Sequence, residues 1–262
     1  MLVTAIVALV ISIALFIVGR VMNSRAVFIA GTEKTTVGAL ESGAKATESG
    51  GAKGGFRKFI EINGTVVCDS PLEAELTATK CVHYETKVTR EYEENYVSTN
   101  SDGSSRSQIR NGTENVSHNS RSCAFILDDG SGRIGVDPSG AEFHLETTLS
   151  RFEPGETAPA IGTFVFNNMV TGASGRRTIG YRFDEKCLPV GRKAYVFGEA
   201  EDAGGALRIG KSQDGGKRLV ISLKSAEQLV HSAKVATLWL TIGAGAVLAA
   251  SIVIFILAVA RR

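Results

Sequence analysis

Three side chains whose types could do chemistry stand at alternate positions along one stretch: Cys81, His83 and Glu85. A histidine beside a cysteine can remove the thiol proton and leave a nucleophilic thiolate, and the same pair can begin a metal site. The alternation of apolar and charged residues around them predicts a long strand with one wet face, on which all three would share a side. Ordinary strand residues are the alternative interpretation, and the sequence favours it.

A second group of candidates is acidic and lies around a turn signal. Asp128 and Asp129 precede Gly-Ser-Gly, Arg133 follows them, and Asp137 opens Asp-Pro-Ser-Gly. Paired carboxylates can perform acid–base chemistry or bind Ca²⁺. The spacing is not that of an EF-hand loop, however, and aspartate-glycine turns explain the residues more simply. We therefore treat Asp128, Asp129, Arg133 and Asp137 as a candidate interaction surface rather than a catalytic one.

The other histidines and the known catalytic sequence motifs give no indication of a metal or catalytic site. His118 and His144 flank Cys123, but His118 lies in a long polar tract, so a metal site is not favoured. The sequence contains no nucleotide-binding, serine-hydrolase or zinc-protease motif. We accordingly predict no catalytic residues, no bound metal and no cofactor.

Four cysteines, none of them in a Cys-x-x-Cys pair, do not make a disulfide scaffold in a domain of this size. They are Cys68, Cys81, Cys123 and Cys187. Separate free thiols are the favoured interpretation. One or two disulfides are the alternative interpretation if the domain faces an oxidising compartment.

The part of the chain that contains these candidate residues lies between two long apolar segments. Residues 235–260 contain no charge and are followed by Arg261 and Arg262, and about 20 apolar residues span a bilayer core. Residues 2–19 form the second run. No basic residue precedes it, so an uncleaved anchor is favoured over a signal peptide. We predict transmembrane helices over residues 1–22 and 235–260, in a multi-pass protein whose first partner is the lipid bilayer.

Flanking charge predicts the orientation of these spans. More Lys and Arg lie beside the middle region than beyond the second span, which places the domain on the cytoplasmic side. The basic residues counted beside the middle region are Arg20, Arg25, Lys34, Lys224 and Lys234. The whole chain has 29 Lys and Arg against 27 Asp and Glu. The middle region is nearly neutral, which argues against nucleic-acid binding.

Small residues recur every four positions in both apolar runs. They are Thr241, Gly245 and Ala249 in the second run and Thr4, Ala8 and Ser12 in the first. Small residues at this spacing let helices approach closely. The two ridges could pack against each other, or the Gly245 ridge could pair with a second copy.

Between the spans, the sequence predicts a mostly β (α+β) domain. Residues 23–55 are rich in Gly, Ala and Ser and are expected to be a flexible linker. Short alternating segments separated by turns over residues 56–224 are typical of a barrel or sandwich, with a polar loop over residues 95–122. Over residues 225–262, Ser225 and Gln228 fit a capping box, and the helix that they begin is expected to run into the second span.

Several short sequence motifs of this β segment resemble those of one known family. They are Gly64-Thr65-Val66, Cys81 with Tyr84, Asp129-Gly130-Ser131-Gly132-Arg133, and Asp137-Pro138-x-Gly140-Ala141. Together with the order span, domain, span, they resemble the BAM ("beside a membrane") or GIDE-type domain of membrane-anchored mitochondrial ubiquitin ligases. In those ligases a RING finger follows the second span.

The resemblance implies the membrane-embedded part of such a ligase. The printed sequence stops at Arg262, and its four scattered cysteines do not supply the paired ligands that a RING needs. We therefore expect an interaction or scaffold module that performs no chemistry itself and binds a protein partner or a second copy. A component of a ubiquitin-like conjugation or membrane quality-control pathway is the alternative. A hydrolase that uses Cys81, His83 or the aspartate surface is a weaker third hypothesis.

Overall fold

The computed structural model describes residues 2–50, 55–99, 103–155, 176–202, 206–213 and 217–260. The chain divides into two compact units, one formed by residues 1–34 with 224–262 and the other by residues 35–223. The first unit contains the helices α1 (Leu2–Ala30) and α3 (Ala226–Ala260). The second contains helix α2 (Val37–Ser49) and all the strands. They are β1 (Arg57–Val67), β2 (Leu72–Glu73), β3 (Lys80–Thr99), β4 (Ser105–Ser122), β5 (Phe125–Asp128), β6 (Arg133–Val136), β7 (Glu142–His144), β8 (Thr147–Pro154), β9 (Arg176–Pro189), β10 (Lys193–Asp202), β11 (Leu207–Gly210) and β12 (Val220–Ser222).

Five strands of the second unit close into a ring. The order around the ring is β1, β5, β6, β11 and β10, and β10 then pairs with β1 from Arg57↔Glu201 to Thr65↔Lys193. The β6–β11 pair is parallel and the other pairs are antiparallel. Numbered along the chain, these strands follow the order 1-2-3-5-4 around the ring, which is the topology of the OB fold, a small five-stranded barrel. The predicted barrel-like, mostly β fold is confirmed.

Alternating side chains of the ring strands fill the barrel, as the two-residue period of a strand requires. The largest fully buried ones come from all five ring strands and include Ile60, Ile62, Leu127, Ile134 and Ile209. A Cβ on Gly64 would lie 2.7 Å from the backbone oxygen of Asp128. This position therefore needs glycine for the close approach of β1 and β5.

Five further strands form a second sheet from segments inserted between the ring strands, while β12 and β7 extend the first sheet beyond β10. Its order is β2-β3-β9-β8, and β4 pairs with β3. Strands β2 to β4 lie between β1 and β5 along the chain, and β7 to β9 lie between β6 and β10. The β3–β4 hairpin is long, with pairing from His83↔Ser122 to Thr99↔Ser105.

The predicted polar loop over residues 95–122 is therefore wrong for the described part of that tract. Residues 105–122 form β4, although most of them are polar and largely exposed. Pairing with β3 satisfies the backbone groups, and polar side chains are tolerated because much of the hairpin faces solvent. Residues 100–102 of the tract lie outside the described residues.

The predicted flexible linker over residues 23–55 is also corrected. Helix α1 continues to Ala30, and α2 occupies most of the rest. Thr36 caps α2 by accepting a hydrogen bond from the Ala39 N–H at 3.3 Å. Val37 and Leu40 are 1% and 2% exposed within the barrel cluster, so tertiary packing holds a segment whose composition suggested flexibility. Residues 51–54 lie outside the described part of the chain.

Helices α1 and α3 are both long and apolar enough to cross a membrane. The helix predicted to begin at Ser225 is confirmed: the Ser225 N–H donates to Gln228 Oε1 at 3.1 Å, and the Gln228 N–H donates to Ser225 Oγ at 3.3 Å. From this capping box α3 runs unbroken to Ala260. Arg261 and Arg262, which entered the charge count, lie outside the described residues.

The two helices pack through positions spaced alternately by three and four residues, the pattern of coiled-coil packing, and small side chains occupy several of these positions. The Ser12 hydroxyl donates to the backbone oxygen of Ala244 at 2.9 Å. The less exposed positions include Ala8, Ser12, Leu15, Gly19 and Met22 of α1 and Thr237, Leu240, Ala244, Val247 and Ser251 of α3. Ala8 and Ser12 of the predicted first ridge lie on this face.

The predicted second ridge does not lie in that packing face. Thr241, Gly245 and Ala249 are exposed, and a Cβ on Gly245 would meet nothing within 4 Å. The face that packs is one residue away, at Ala244. A contact of the Gly245 ridge with a second copy stays a prediction.

Candidate functional site

The acidic surface predicted from the sequence lies at the β5–β6 turn and just after β6, and hydrogen bonds within the chain already engage its carboxylates. Asp129 Oδ1 accepts from the Ser131 N–H at 2.9 Å, the Ser131 hydroxyl at 2.7 Å and the Gly132 N–H at 3.1 Å. Its Oδ2 accepts from the Val37 N–H at 2.8 Å. Asp129 therefore caps the first turn of α2 from a distant part of the chain. Burial raises the pKa of Asp129, but these hydrogen bonds outweigh it and hold the pKa below its ordinary value.

The other members of this surface are similarly engaged. Asp128 accepts from the Arg133 Nε–H at 2.8 Å and from the Gly130 N–H at 3.0 Å, and these bonds lower the pKa of Asp128. Asp137 accepts from the Ser139 N–H at 3.0 Å, and hydrogen bonds from Ser139 lower the pKa of Asp137. These contacts give the carboxylates a local structural role. Binding of a partner by this surface stays a prediction.

The sequence predicted that Cys81 and His83 share one face of β3. The structure contradicts this prediction. The pairing of β3 with β9 shifts register between these two residues, which is the mark of a β-bulge. Cys81 belongs to a buried cluster with Tyr84 and Cys187. The extra residue breaks the two-residue alternation on which the prediction rested.

His83 is held as a neutral ring by partners other than that thiol. Its ring stacks on Phe143 with centroids 3.5 Å apart and planes inclined by 7°. Its Nδ1 lies 2.8 Å from Ser122 Oγ. His83 is only 5% exposed, and this burial lowers its pKa to about 4, against a smaller opposing effect of Glu85. His83 therefore has structural partners, and the structure gives no support to a Cys81–His83 couple.

Cys81 instead interacts with Cys187 across β3 and β9. Both thiols are buried and free. A hydrogen bond from Cys81 lowers the pKa of Cys187 to about 7. The Thr148 hydroxyl, 3.3 Å from Cys187 Sγ, lowers it further, whereas the bond to Cys187 and burial raise the pKa of Cys81. This pair lies in the core and offers no surface to a substrate.

The histidines considered for a metal site are dispersed. His118 Nε2 lies 3.1 Å from Glu85 Oε1, and His144 Nε2 lies 3.4 Å from Glu142 Oε1. Neither bond involves Cys123. Within the described residues, no group of three or more His, Cys, Asp or Glu could hold a metal ion.

A cleft of about 770 Å³ opens on the barrel beside the ends of β1 and β5. Its lining includes Cys68 and Cys123, whose Sγ atoms lie 4.0 Å apart, together with Asp137 and Arg208. Both thiols are free and half-buried. Burial, and then the neighbouring Cys68, raise the pKa of Cys123. Sequence reasoning missed this pair because its two members stand 55 residues apart without a recognisable motif.

The far end of the β3–β4 hairpin carries a cluster of exposed apolar side chains, which we call the hairpin patch: Tyr96, Val97 and Ile109. They are 39%, 68% and 68% exposed. Within the described part of residues 35–223, no other large apolar side chain is classed as exposed. The register pairs Asn95 with Ile109 and Val97 with Ser107, so Val97 and Ile109 are diagonal neighbours on one face.

The hairpin patch adjoins an open strand edge. In the described residues, β4 pairs with β3 alone, so its other edge presents unpaired backbone groups. The sequence analysis did not find the patch because it assigned these residues to a loop.

Comparison with known proteins identifies the family of the chain. The family model GIDE, described as an E3 ubiquitin ligase, matches residues 93–255. The chain belongs to the GIDE family. The matched range runs from within β3 into α3, so it includes most of the second sheet and the later ring strands as well as most of the second apolar helix.

A curated relative extends this finding. The E3 ubiquitin-protein ligase SPL1 of Arabidopsis thaliana is 35% identical over 98 residues, which are 35% of this GIDE chain and 26% of the relative. The alignment thus spans about a quarter of the length of that ligase. No solved structure matches the chain significantly.

Proposed function

We propose that this GIDE-family chain is a two-span membrane protein whose β unit is a protein-interaction module beside the membrane. The hairpin patch is its contact surface. The observation that carries this proposal is the placement of the exposed Val97 and Ile109 on one face at one end of the unit, beside an open strand edge, with Tyr96 exposed on the opposite face. Clustered apolar side chains on a soluble surface are typical of interaction sites.

The chemistry of the surface favours an extended protein segment as the partner. The free edge of β4 offers a row of N–H and C=O groups that a further strand can pair with. Lipid tails cannot satisfy these groups, so insertion of the edge into hydrocarbon would be costly. An apolar side chain on the added strand would cover Val97 and Ile109. The partner is thus a protein, either another species or a second copy of this chain.

Site-specific photo-crosslinking in native membranes tests the proposal. A photoreactive residue replaces Ile109 in the full chain, and the matched control carries it at Ser120, an exposed position near the other end of β4. We expect one defined protein adduct from position 109 and none from position 120. The same protein should co-purify with the wild-type chain and be several-fold depleted with Ile109→Ser but not with Ser120→Ala. Adducts with lipid alone, or equal adducts from both positions, would contradict the proposal.

The cytoplasmic placement of the β unit belongs to the same proposal and rests on the flanking Lys and Arg. Cys68 is a free, half-buried thiol that lines a cleft, and a reagent that enters the cleft can label it. In sealed membranes of known sidedness, a membrane-impermeant maleimide should label Cys68 only from the cytoplasmic side. Labelling from the opposite side alone would reverse the assignment.

A second candidate function follows from the family match and from the name of the relative. In this proposal the chain supports a ubiquitin-like conjugation reaction at the membrane together with catalytic partners. The test compares membranes with and without the chain, supplied with ATP, activating enzyme, conjugating enzyme and fluorescent ubiquitin. A conjugation rate that depends on the chain supports this function, and an equal rate in both membranes eliminates it.

A further inference from the structure

The two thiols in the barrel cleft are placed for a reaction with each other. Cys68 Sγ and Cys123 Sγ lie 4.0 Å apart, and a disulfide needs about 2.05 Å. Cys68 directly follows β1, and Cys123 lies between β4 and β5, so both stand outside the regular strands. A closure of roughly 2 Å is within the reach of side-chain rotation at such positions.

The cleft makes this pair accessible, in contrast to the other two thiols. Cys81 and Cys187 are 0% and 1% exposed, whereas Cys68 and Cys123 are half-buried and line a cleft of about 770 Å³. That volume lies within the range of small-molecule sites. Cys123 Sγ lies 3.7 Å from the backbone oxygen of Val82 in a partly buried contact, whereas Cys68 Sγ lies 3.8 Å from the backbone oxygen of Ala124 in an exposed one. Cys68 is therefore the first thiol that an incoming molecule meets.

We propose that Cys68 and Cys123 form a thiol–disulfide exchange site that takes low-molecular-weight disulfides of the glutathione class. The Cys68 thiolate attacks one sulfur of the external disulfide, the S–S bond breaks, and the first small thiolate leaves and takes up a proton. The Cys123 thiolate then attacks Cys68 Sγ and releases the second small thiol. The two protein thiols lose two electrons, and the external disulfide gains them.

The product would join the two ends of an inserted segment. Strands β2, β3 and β4 leave the barrel after Cys68 and return to it at Cys123, so the bond would close this segment at its base. The inference stands apart from the proposed interaction function, because it depends on the cleft and not on the hairpin patch. Failure of one leaves the other unaffected.

Peptide mapping of the full chain in detergent tests the site. The reduced protein is incubated with oxidised glutathione and quenched with acid, its remaining thiols are alkylated, and the digest is analysed by mass spectrometry. We expect a Cys68–Cys123 disulfide in the wild type and in the control Cys187→Ser. Cys123→Ser should accumulate a glutathione adduct on Cys68, and Cys68→Ser should slow modification of Cys123 at least tenfold.

Two results would overturn the proposal. One is a disulfide that joins Cys81 to Cys187 while Cys68 and Cys123 stay reduced. The other is retention of all four thiols in the folded chain under conditions that oxidise the denatured chain. Because the wild-type map needs no substitution, both outcomes can be read even if a serine variant fails to fold.

Discussion

The Asp129 carboxylate accepts a hydrogen bond at 2.8 Å from the backbone N–H of Val37, a residue 92 positions earlier in the chain. This bond joins the β5–β6 turn to the start of α2 and satisfies one of the amide groups that a helix leaves open at its N-terminus. It explains why a segment rich in Gly, Ala and Ser is ordered against the barrel. The contribution of Asp129 to the free energy of unfolding can therefore be measured by substitution.

We predict that Asp129→Ala lowers the free energy of unfolding by about 2 kcal/mol, because four hydrogen bonds end on this carboxylate. Asp137→Ala is the matched control, since the side-chain hydrogen bond that Asp137 accepts comes from within its own turn, and it should cost roughly half as much. Denaturant unfolding of both variants in the same detergent measures the difference. Equal losses would refute a special role for Asp129.

The Asp129 effect should also depend on pH. Its pKa in the folded chain lies below the ordinary value of 3.8, so its contribution is fully present above that value and is lost as the pH falls through the folded pKa. The stability gap between wild type and Asp129→Ala should therefore narrow below about pH 4. A gap that is constant from pH 7 to pH 3 would contradict this account.

The buried His83 should give the stability of the chain a second pH dependence, at higher pH than that of Asp129. The folded pKa of His83, about 4, lies below the ordinary 6.5, so the unfolded chain binds the proton more tightly and stability falls as the pH drops from 6.5 towards 4. The loss should reach about 2 kcal/mol by pH 5. His83→Gln should remove this slope, whereas the exposed control His118→Gln should keep it. Thermal unfolding at a series of pH values tests both.

Two glycines of the barrel strands offer a packing test. A Cβ on Gly64 would lie 2.7 Å from backbone oxygen, whereas one on Gly135 would meet nothing within 4 Å. Gly64→Ala should destabilise the chain by about 2 kcal/mol or more, because backbone must shift. Gly135→Ala should change stability by less than about 1 kcal/mol. Similar denaturation midpoints for the two variants would argue against the close approach of β1 and β5.

The helix pair gives a further contrast between adjacent residues. Ala244 is buried against α1, and Gly245 faces open space. Ala244→Leu should force the helices apart and cost about 1–3 kcal/mol, while Gly245→Leu should leave the monomer unchanged. Thermal stability of the full chain in detergent distinguishes them. If only Gly245→Leu alters the oligomeric state, the Gly245 ridge contacts a second copy, as the sequence pattern suggested.

Local signals in the sequence were sufficient where the structure is local. The capping box at Ser225, the uninterrupted α3 and the alternation along β3 after its bulge were all predicted, because each depends on neighbours within a few residues. Turn residues spaced regularly through the middle region also predicted a mostly β barrel or sandwich. These features follow from backbone period and side-chain chemistry alone.

Features that depend on distant partners were not predictable in this way. Helix α2 shows only two core positions, Val37 and Leu40, and its cap partly comes from Asp129. Strand β4 is polar almost throughout and forms because β3 pairs with it. The bulge between Cys81 and His83 separates two residues that simple alternation places on one face, and no residue type at this position signals a bulge. Each case depends on a tertiary contact that outweighs local preference.

The closure of the ring has a consequence for how the chain folds. Strand β1 must find β10 about 140 residues later, and β6 cannot gain its parallel neighbour until β11 has been made. Such distant pairings raise the contact order and slow folding. During synthesis, β1 therefore emerges from the ribosome long before its partner, with Ile60 and Ile62 still uncovered. Chaperone engagement is expected to be strongest in this interval. Stalled nascent chains with only residues up to 192 outside the ribosome should be markedly more protease-sensitive than stalled chains with residues up to 222 outside it.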